Sequence, residues 1–162
     1  MENRVYRILI VDDEKNVLIA LHTTLKRAKQ FKSDIRIAEN CTAAWAELDK
    51  QEFDIVLSDY MMPGTNGIEF LTEVKERFPG TIRVLITAYS GLDIAKEAIN
   101  KADVQFFIEK PWKSDELIML ISEALSGQKK EESRNKTRAD TADQDLPVGL
   151  IPIGSKEDPE KD

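Results

Sequence analysis

The chain is 162 residues long, room for one domain of ordinary size with some length left over, and its hydrophobic fraction of 41% can build a real core. A formal net charge of -7 speaks against a basic nucleic-acid surface, and the single cysteine, Cys41, excludes an intramolecular disulfide. The charged N-terminus runs into an apolar stretch that stops at Asp12, too soon for a signal-peptide core or a membrane span, so a cytoplasmic protein with no membrane role is expected.

The first apolar run is Val5 to Val11; Asp12-Asp13 follow it, and then a helical stripe of Val17, Leu18, Leu21 and Leu25. Ile35 to Ala38 comes next, before a stripe of Ala43, Ala44 and Leu48 that Asn40 or Thr42 is placed to cap. Phe53 to Ser58 leads to Asp59, and the helical positions Ile68, Leu71, Val74 and Phe78 stop at Pro79-Gly80. Val84 to Ile86 leads to Thr87 and a stripe of Ile94, Ala95, Ala98 and Ile99. Val104 to Ile108 leads to Glu109-Lys110. The last stripe, Leu117, Leu120, Ile121, Ala124 and Leu125, starts near Ser114, with Asp115 and Glu116 where negative charge favours a helix N-terminus.

Runs rich in Val, Ile and Phe with little polar alternation suit strands buried on both faces. Their alternation with helices reads as (βα)₅, an α/β fold with a parallel sheet covered on both sides by right-handed crossovers. Composition changes after Ser126-Gly127: Gln128 to Arg138 is almost wholly polar, Leu146 to Gly154 is apolar but broken by prolines and glycines, and Lys156 to Asp162 is charged. The expected organisation is one domain over 4–126, followed by a charged linker and Pro/Gly-containing tail over 127–162, disordered or a helical extension.

In a parallel sheet all strand C-termini share one edge, so Asp12, Asp13, Asp59, Thr87 and Lys110 are expected to gather there. Each motif alone has a plain reading as a cap, turn or solvated strand end; four strand ends together do not. Two like charges 4 Å apart repel by about 4 kcal/mol at an effective dielectric of roughly 20, so three carboxylates need more countercharge than Lys110 supplies. Hard oxygen ligands suit Mg²⁺, and the lack of nearby His or a second Cys argues against zinc. Such a site supports phosphoryl transfer to a carboxylate, with Asp59 attacking and positioning supplying most of the catalysis.

The set Asp12-Asp13, Asp59 with Met62-Pro63-Gly64 and Gly67, Thr87-Ala88, and Lys110-Pro111 resembles the signature of CheY-like response-regulator receiver domains of bacterial two-component systems, over about Arg4 to Leu125. The resemblance implies a flavodoxin-like, doubly wound sheet with strand order 2-1-3-4-5. It also implies that Asp59 accepts a phosphoryl group from a sensor histidine kinase or phosphotransfer protein. Asp13, Asp59 and the backbone carbonyl of Met61 would ligate Mg²⁺, with Asp12 acting largely through bound water. Lys110 would pair with the phosphoryl group and Thr87 would hydrogen-bond to it. Phe107 falls at the aromatic switch position, turning inward as Thr87 moves and biasing the face of helix 4, strand 5 and helix 5 toward an output partner; the plain alternative for it is core packing. Met61 and Tyr89 are bulky and flank the approach of a hydrolytic water, so the resemblance implies slow self-dephosphorylation and a signalling switch, not an enzyme with turnover. The similarity extends to receivers fused to phosphodiesterase or transcription-activator domains, so the chain is expected to be a stand-alone receiver or one cut from a longer regulator. Dimerisation through the helix 4 to helix 5 face on phosphorylation is left open.

Rival readings fit less well. A Mg²⁺-dependent phosphohydrolase would carry its nucleophile at the end of strand 1 with a second Asp two positions on, where this chain has Asp12-Asp13-Glu14. A flavodoxin-like cofactor binder needs a Gly/Ser/Thr-rich first loop. A receiver fold used only as a scaffold would not need Asp13, Asp59, Thr87 and Lys110 together. His22 is expected at a solvated edge, Cys41 as an inert helix-start thiol and Trp45 in the core. Trp112 is expected at the output-face rim or in the packing, and Leu146 to Gly154 as a loose tail.

Overall fold

Strands and helices alternate without interruption in the computed structural model, which describes residues 3–89 and 91–138. They are β1 (Val5–Val11), α1 (Lys15–Lys26), β2 (Lys32–Ala38), α2 (Cys41–Lys50), β3 (Ile55–Asp59), α3 (Gly67–Arg77), β4 (Ile82–Thr87), α4 (Leu92–Ala102), β5 (Phe106–Glu109) and α5 (Ser114–Arg138). All pairings are parallel and the strand order is β2-β1-β3-β4-β5, the expected doubly wound topology. The apolar tail segment Leu146 to Gly154 lies outside the described residues. Among those described, no helix is long and apolar enough to cross a membrane.

The alternation of side chains along each strand divides the interior in two. Ile8, Ile10, Ile55, Leu57, Val84 and Ile86 point to one layer, where Leu18, Leu21 and Leu25 of α1 and Leu117, Ile121 and Leu125 of α5 meet them. Leu9, Val11, Val56 and Leu85 point to the other, against Ala44 and Leu48 of α2, Ile68, Phe70, Leu71 and Val74 of α3, and Ala98 and Ala102 of α4. Every residue of β3 and β4 is buried. The helical stripes lie at the expected positions, but Val17, Ala43, Leu120 and Phe78 (the C-cap of α3) are only half-buried, as are Ile94 and Ile99 of α4, whose buried face is Ala95, Ala98 and Ala102. Small side chains on that face let α4 lie close against α3.

Strand limits differ from those expected at the polar ends. β2 is an edge strand that pairs only with β1, so it starts in the polar Lys32-Ser33-Asp34 segment that hydrophobicity does not mark. β4 likewise begins at Ile82 and passes through Arg83, whereas Val104 is buried without belonging to β5. Asn40 caps α2 by accepting from the Ala43 N–H at 2.7 Å, and Asn66 caps α3 by accepting from the Glu69 N–H at 2.9 Å.

Gly67, the first residue of α3, fixes the height of that helix against β3. Its N–H donates to the Tyr60 carbonyl at 2.7 Å, and a Cβ at this position would lie 2.0 Å from the Asp59 carbonyl oxygen. Gly67→Ala is therefore expected to lower stability in urea unfolding by about 3 kcal/mol or more. Gly127→Ala, in α5 with nothing within 4 Å of the added methyl, should instead gain about 0.5–1 kcal/mol. Equal effects at the two positions would refute this account of Gly67.

Candidate functional site

The C-terminal ends of β1, β3, β4 and β5 form one rim because neighbouring parallel strands run in register. Asp59 pairs with Ile86, Thr87 pairs with Glu109, and the N–H of Lys110 donates to the Thr87 carbonyl at 2.9 Å. Asp12 extends β1 by one residue, its N–H donating to the Ala38 carbonyl at 3.1 Å. The rim thus gathers side chains from positions 12 to 110. Lys110 Nζ lies 2.9 Å from Asp12 Oδ2 and 3.1 Å from Asp59 Oδ1, and the carboxylates of Asp12, Asp13 and Asp59 lie within 4.8 Å of one another.

The three acids stand in different surroundings. Asp12 is fully buried, with one oxygen accepting from Lys110 and the other from the Glu14 N–H at 2.9 Å. Asp13 is exposed, and none of the described residues hydrogen-bonds or ion-pairs with its carboxylate. Asp59 is 6% exposed. Burial, and then the charge of Asp12, push its carboxyl up to about 6, while Lys110 and the Tyr60 backbone N–H pull in the opposite direction. Burial works against the charged form of Lys110, but its hydrogen bond to Asp12 and the charges of Asp12 and Asp59 outweigh that and raise its pKa. Two buried negative groups thus share one positive partner, and an exposed third carboxylate faces them. Such a hard-oxygen cluster, with one member uncommitted, fits a divalent cation of the Mg²⁺ type.

Thr87 is completely buried, and its Oγ1 accepts from the Tyr89 N–H at 2.9 Å, which leaves the hydroxyl proton available to donate. Met61 follows Asp59 by two residues with its side chain half exposed, as is that of Tyr89. The Tyr60 and Tyr89 rings meet edge to face, 6.2 Å between centroids, so the loops after β3 and β4 touch beside Asp59. Nothing in the sequence pattern marked Tyr60; only the pairing of β3 with β4 brings the two tyrosines together. Phe107 is half-buried against the core layer of α2, α3 and α4, whereas Phe106 lies against the layer of α1 and α5.

The remaining singled-out residues lie away from the rim chemistry. His22 is half-buried on α1. Cys41 is half-buried at the start of α2, its thiol pKa raised by burial and then by Glu73. Trp45 packs edge-on against Phe70 at 5.3 Å, with the Arg77 guanidinium 4.4 Å above its ring, and Trp112 packs against the α1/α5 layer. A cavity of about 670 Å³ opens at the N-terminal ends of the strands, lined by groups including Arg4, Arg7, Asp54 and Phe78, and contains none of the rim residues.

Comparison with known proteins agrees with this geometry. The family model described as the response regulator receiver domain matches residues 8–122. The hydrogenase transcriptional regulatory protein HoxA of Cupriavidus necator is 34% identical over 79% of the chain, and the response regulator protein PilR of Pseudomonas aeruginosa is 36% identical over 74% of it. The chain spans about a quarter of the length of each, 26% in both cases. The crystal structure of the signal receiver domain of an HD domain-containing protein from Pseudomonas fluorescens superposes with a TM-score of 0.72 at 28% identity, covering 78% of this chain and 99% of that one.

The surroundings of Asp59 make a measurable demand on stability. A carboxyl whose folded pKa lies above its unfolded value holds its proton more tightly in the folded chain. Its contribution therefore falls as pH rises from about 4 through 6 and stays low above that. In metal chelator, Asp59→Asn should be more stable than wild type at pH 8 by roughly 2–3 kcal/mol, since each tenfold change in proton affinity is worth about 1.4 kcal/mol, and the difference should close by pH 4. Urea unfolding at the two pH values checks this; a pH-independent gap would count against it.

Proposed function

The chain belongs to the response regulator receiver domain family, and from that membership and the rim geometry we propose that Asp59 is its phosphoacceptor. The observation that carries the reading is Lys110 held 3.1 Å from Asp59 while Thr87, one strand away, keeps a buried hydroxyl with a proton to donate. Asp59, as the carboxylate, forms a bond to phosphorus as the donor's bond to phosphorus breaks, and the leaving group departs with that electron pair. Lys110 turns its ammonium toward the incoming phosphoryl oxygens, and the Thr87 hydroxyl donates to one of them. Asp13 and Asp59, with the backbone carbonyl of Met61, would hold Mg²⁺, which supplies countercharge to the phosphoryl oxygens when bound. Asp12, with both oxygens already accepting from Lys110 and Glu14, takes part through water.

Recruitment of Thr87 by the phosphoryl group opens space beside β5, and Phe107 moves further into the α3/α4 layer. The phosphorylated state is thereby read on the α4, β5 and α5 face. Receivers of response regulators act as signalling switches, and the donor proposed here is a sensor histidine kinase or phosphotransfer protein in the cytoplasm. The reader is a downstream protein or an output domain. Residues 4–126 form the receiver unit, with 127–162 as the connecting segment; the share of its relatives that the chain spans favours a regulator with an output domain elsewhere. Direct contact with nucleic acid is not proposed for an acidic chain of net charge -7. Met61, Tyr89 and the ring contact of Tyr89 with Tyr60 restrict water and offer no carboxylate or amide to orient it, so self-dephosphorylation is slow.

Incubation with Mg²⁺ and a small acyl-phosphate donor should add the mass of one phosphoryl group to the intact chain and none to Asp59→Asn; equal uptake by the variant would remove Asp59 from its role. Size measurement of the same samples reports whether phosphorylation also pairs two copies. Met61→Asn should shorten the lifetime of the phosphorylated form by about fivefold, the rate equivalent of one hydrogen bond of ~1 kcal/mol to the attacking water. An unchanged lifetime would show that Met61 does not limit water access.

A further inference from the structure

Arg83 has no part in the phosphoryl site, yet it is 2% exposed at the second position of a central strand. Its guanidinium is satisfied almost wholly by main-chain carbonyls. Nε donates to Ala102 at 2.8 Å, Nη1 to Thr81 at 2.7 Å and to Pro79 at 3.4 Å, and Nη2 to Asp103 at 3.3 Å. The Asp103 carboxylate, 3.7 Å away and 61% exposed, is its ion-pair partner among the described residues. A buried cation is costly to leave without partners, and these four bonds engage four of its five N–H groups.

Ala102 and Asp103 are the last residue of α4 and its C-cap, where free carbonyls carry the negative end of the helix dipole. Asp103 is left-handed, φ 51°, a conformation that glycine adopts at less cost, and its contacts to Arg83 hold it there. The strand joins in: the Arg83 N–H donates to Gln105 Oε1 at 2.9 Å and the Arg83 carbonyl accepts from the Gln105 N–H at 3.0 Å. Among the described residues, the opposite end of α4 has no comparable clamp. Its N-cap is Gly91 with no side-chain cap, and Leu92 is 63% exposed. Thr87 ends the same strand that carries Arg83, so α4 runs back from beside the phosphoryl site to the guanidinium.

We propose that Arg83 is the pivot of α4: it clamps the C-terminal end of the helix to β4 and the α3–β4 turn, so that α4 swings at its N-terminal end when the site switches. The clamp is a property of the unphosphorylated chain. The swing rests on the function proposed above.

Amide hydrogen exchange on the full chain tests the two parts separately. In unphosphorylated wild type, the hydrogen-bonded amides of Lys101 to Val104 should exchange more slowly than those of Ala95 to Glu97; the reverse order, or no gradient, overturns the clamp. Arg83→Met should speed exchange at Lys101 to Val104 by about tenfold or more, the loss of at least one hydrogen bond from a charged donor, and leave Ala95 to Glu97 unchanged. Arg83→Lys, which keeps the charge and the stem but reaches fewer carbonyls, should show a smaller effect at the same amides and serves if the methionine variant does not fold. Acceleration spread evenly over the sheet in either variant would mark Arg83 as a general core residue and overturn the pivot. With Mg²⁺ and an acyl-phosphate donor, exchange should change at Ala95 to Glu97 and stay fixed at Lys101 to Val104; equal change at both ends overturns the swing. Absence of any phosphoryl uptake would overturn the phosphoacceptor role, while the first two comparisons still decide the clamp.

Discussion

One ammonium between two buried carboxylates holds the functional edge of this molecule together. Asp12 is wholly enclosed and Asp59 nearly so, and each would be severely destabilised as a lone charge. Lys110 reaches both at hydrogen-bonding distance, but a single positive charge does not balance two negative ones. The imbalance is visible in Asp59, whose carboxyl is lifted to about 6 even with Lys110 in place. A site poised in this way gains stability from any added positive charge.

That arrangement depends on backbone placement more than on the side chains themselves. Four strands must end at the same height, and α3 must start close beneath Asp59, which the absence of a side chain at Gly67 permits. The sheet also separates two apolar layers. Phe106 and Phe107, adjacent in β5, belong to opposite layers. β4 carries Thr87 at one end and Arg83 at the other, so a displacement at the rim and a fixed point at the base act on the same helix.

Much of this was legible in the residues alone. Apolar runs located all five strands, most plainly β1, β3 and β4, because central parallel strands are buried on both faces. The polar residues after four of the five runs located the rim because parallel strands share a direction. The limits of β2 were not legible: an edge strand can start in Lys32-Ser33-Asp34, where hydrophobicity is silent but pairing with β1 is not. The Tyr60–Tyr89 contact was hidden because it joins two loops through strand adjacency. Arg83 was hidden for a related reason. Arg83 lies outside the apolar run Val84 to Ile86, and the carbonyls that make its burial tolerable come from the end of α4 and the α3–β4 turn, which sequence does not bring together.

The two tryptophans fall on opposite sides of the sheet, Trp45 beside Phe70 in the α2/α3 layer and Trp112 against the α1/α5 layer, two residues past Lys110. Indole emission from this chain therefore has two sources with unlike quenching environments, one under the Arg77 guanidinium and one next to the rim. Events confined to the rim alter the second source alone, whereas loss of the whole sheet alters both, and the chain carries an intrinsic optical means of telling one from the other.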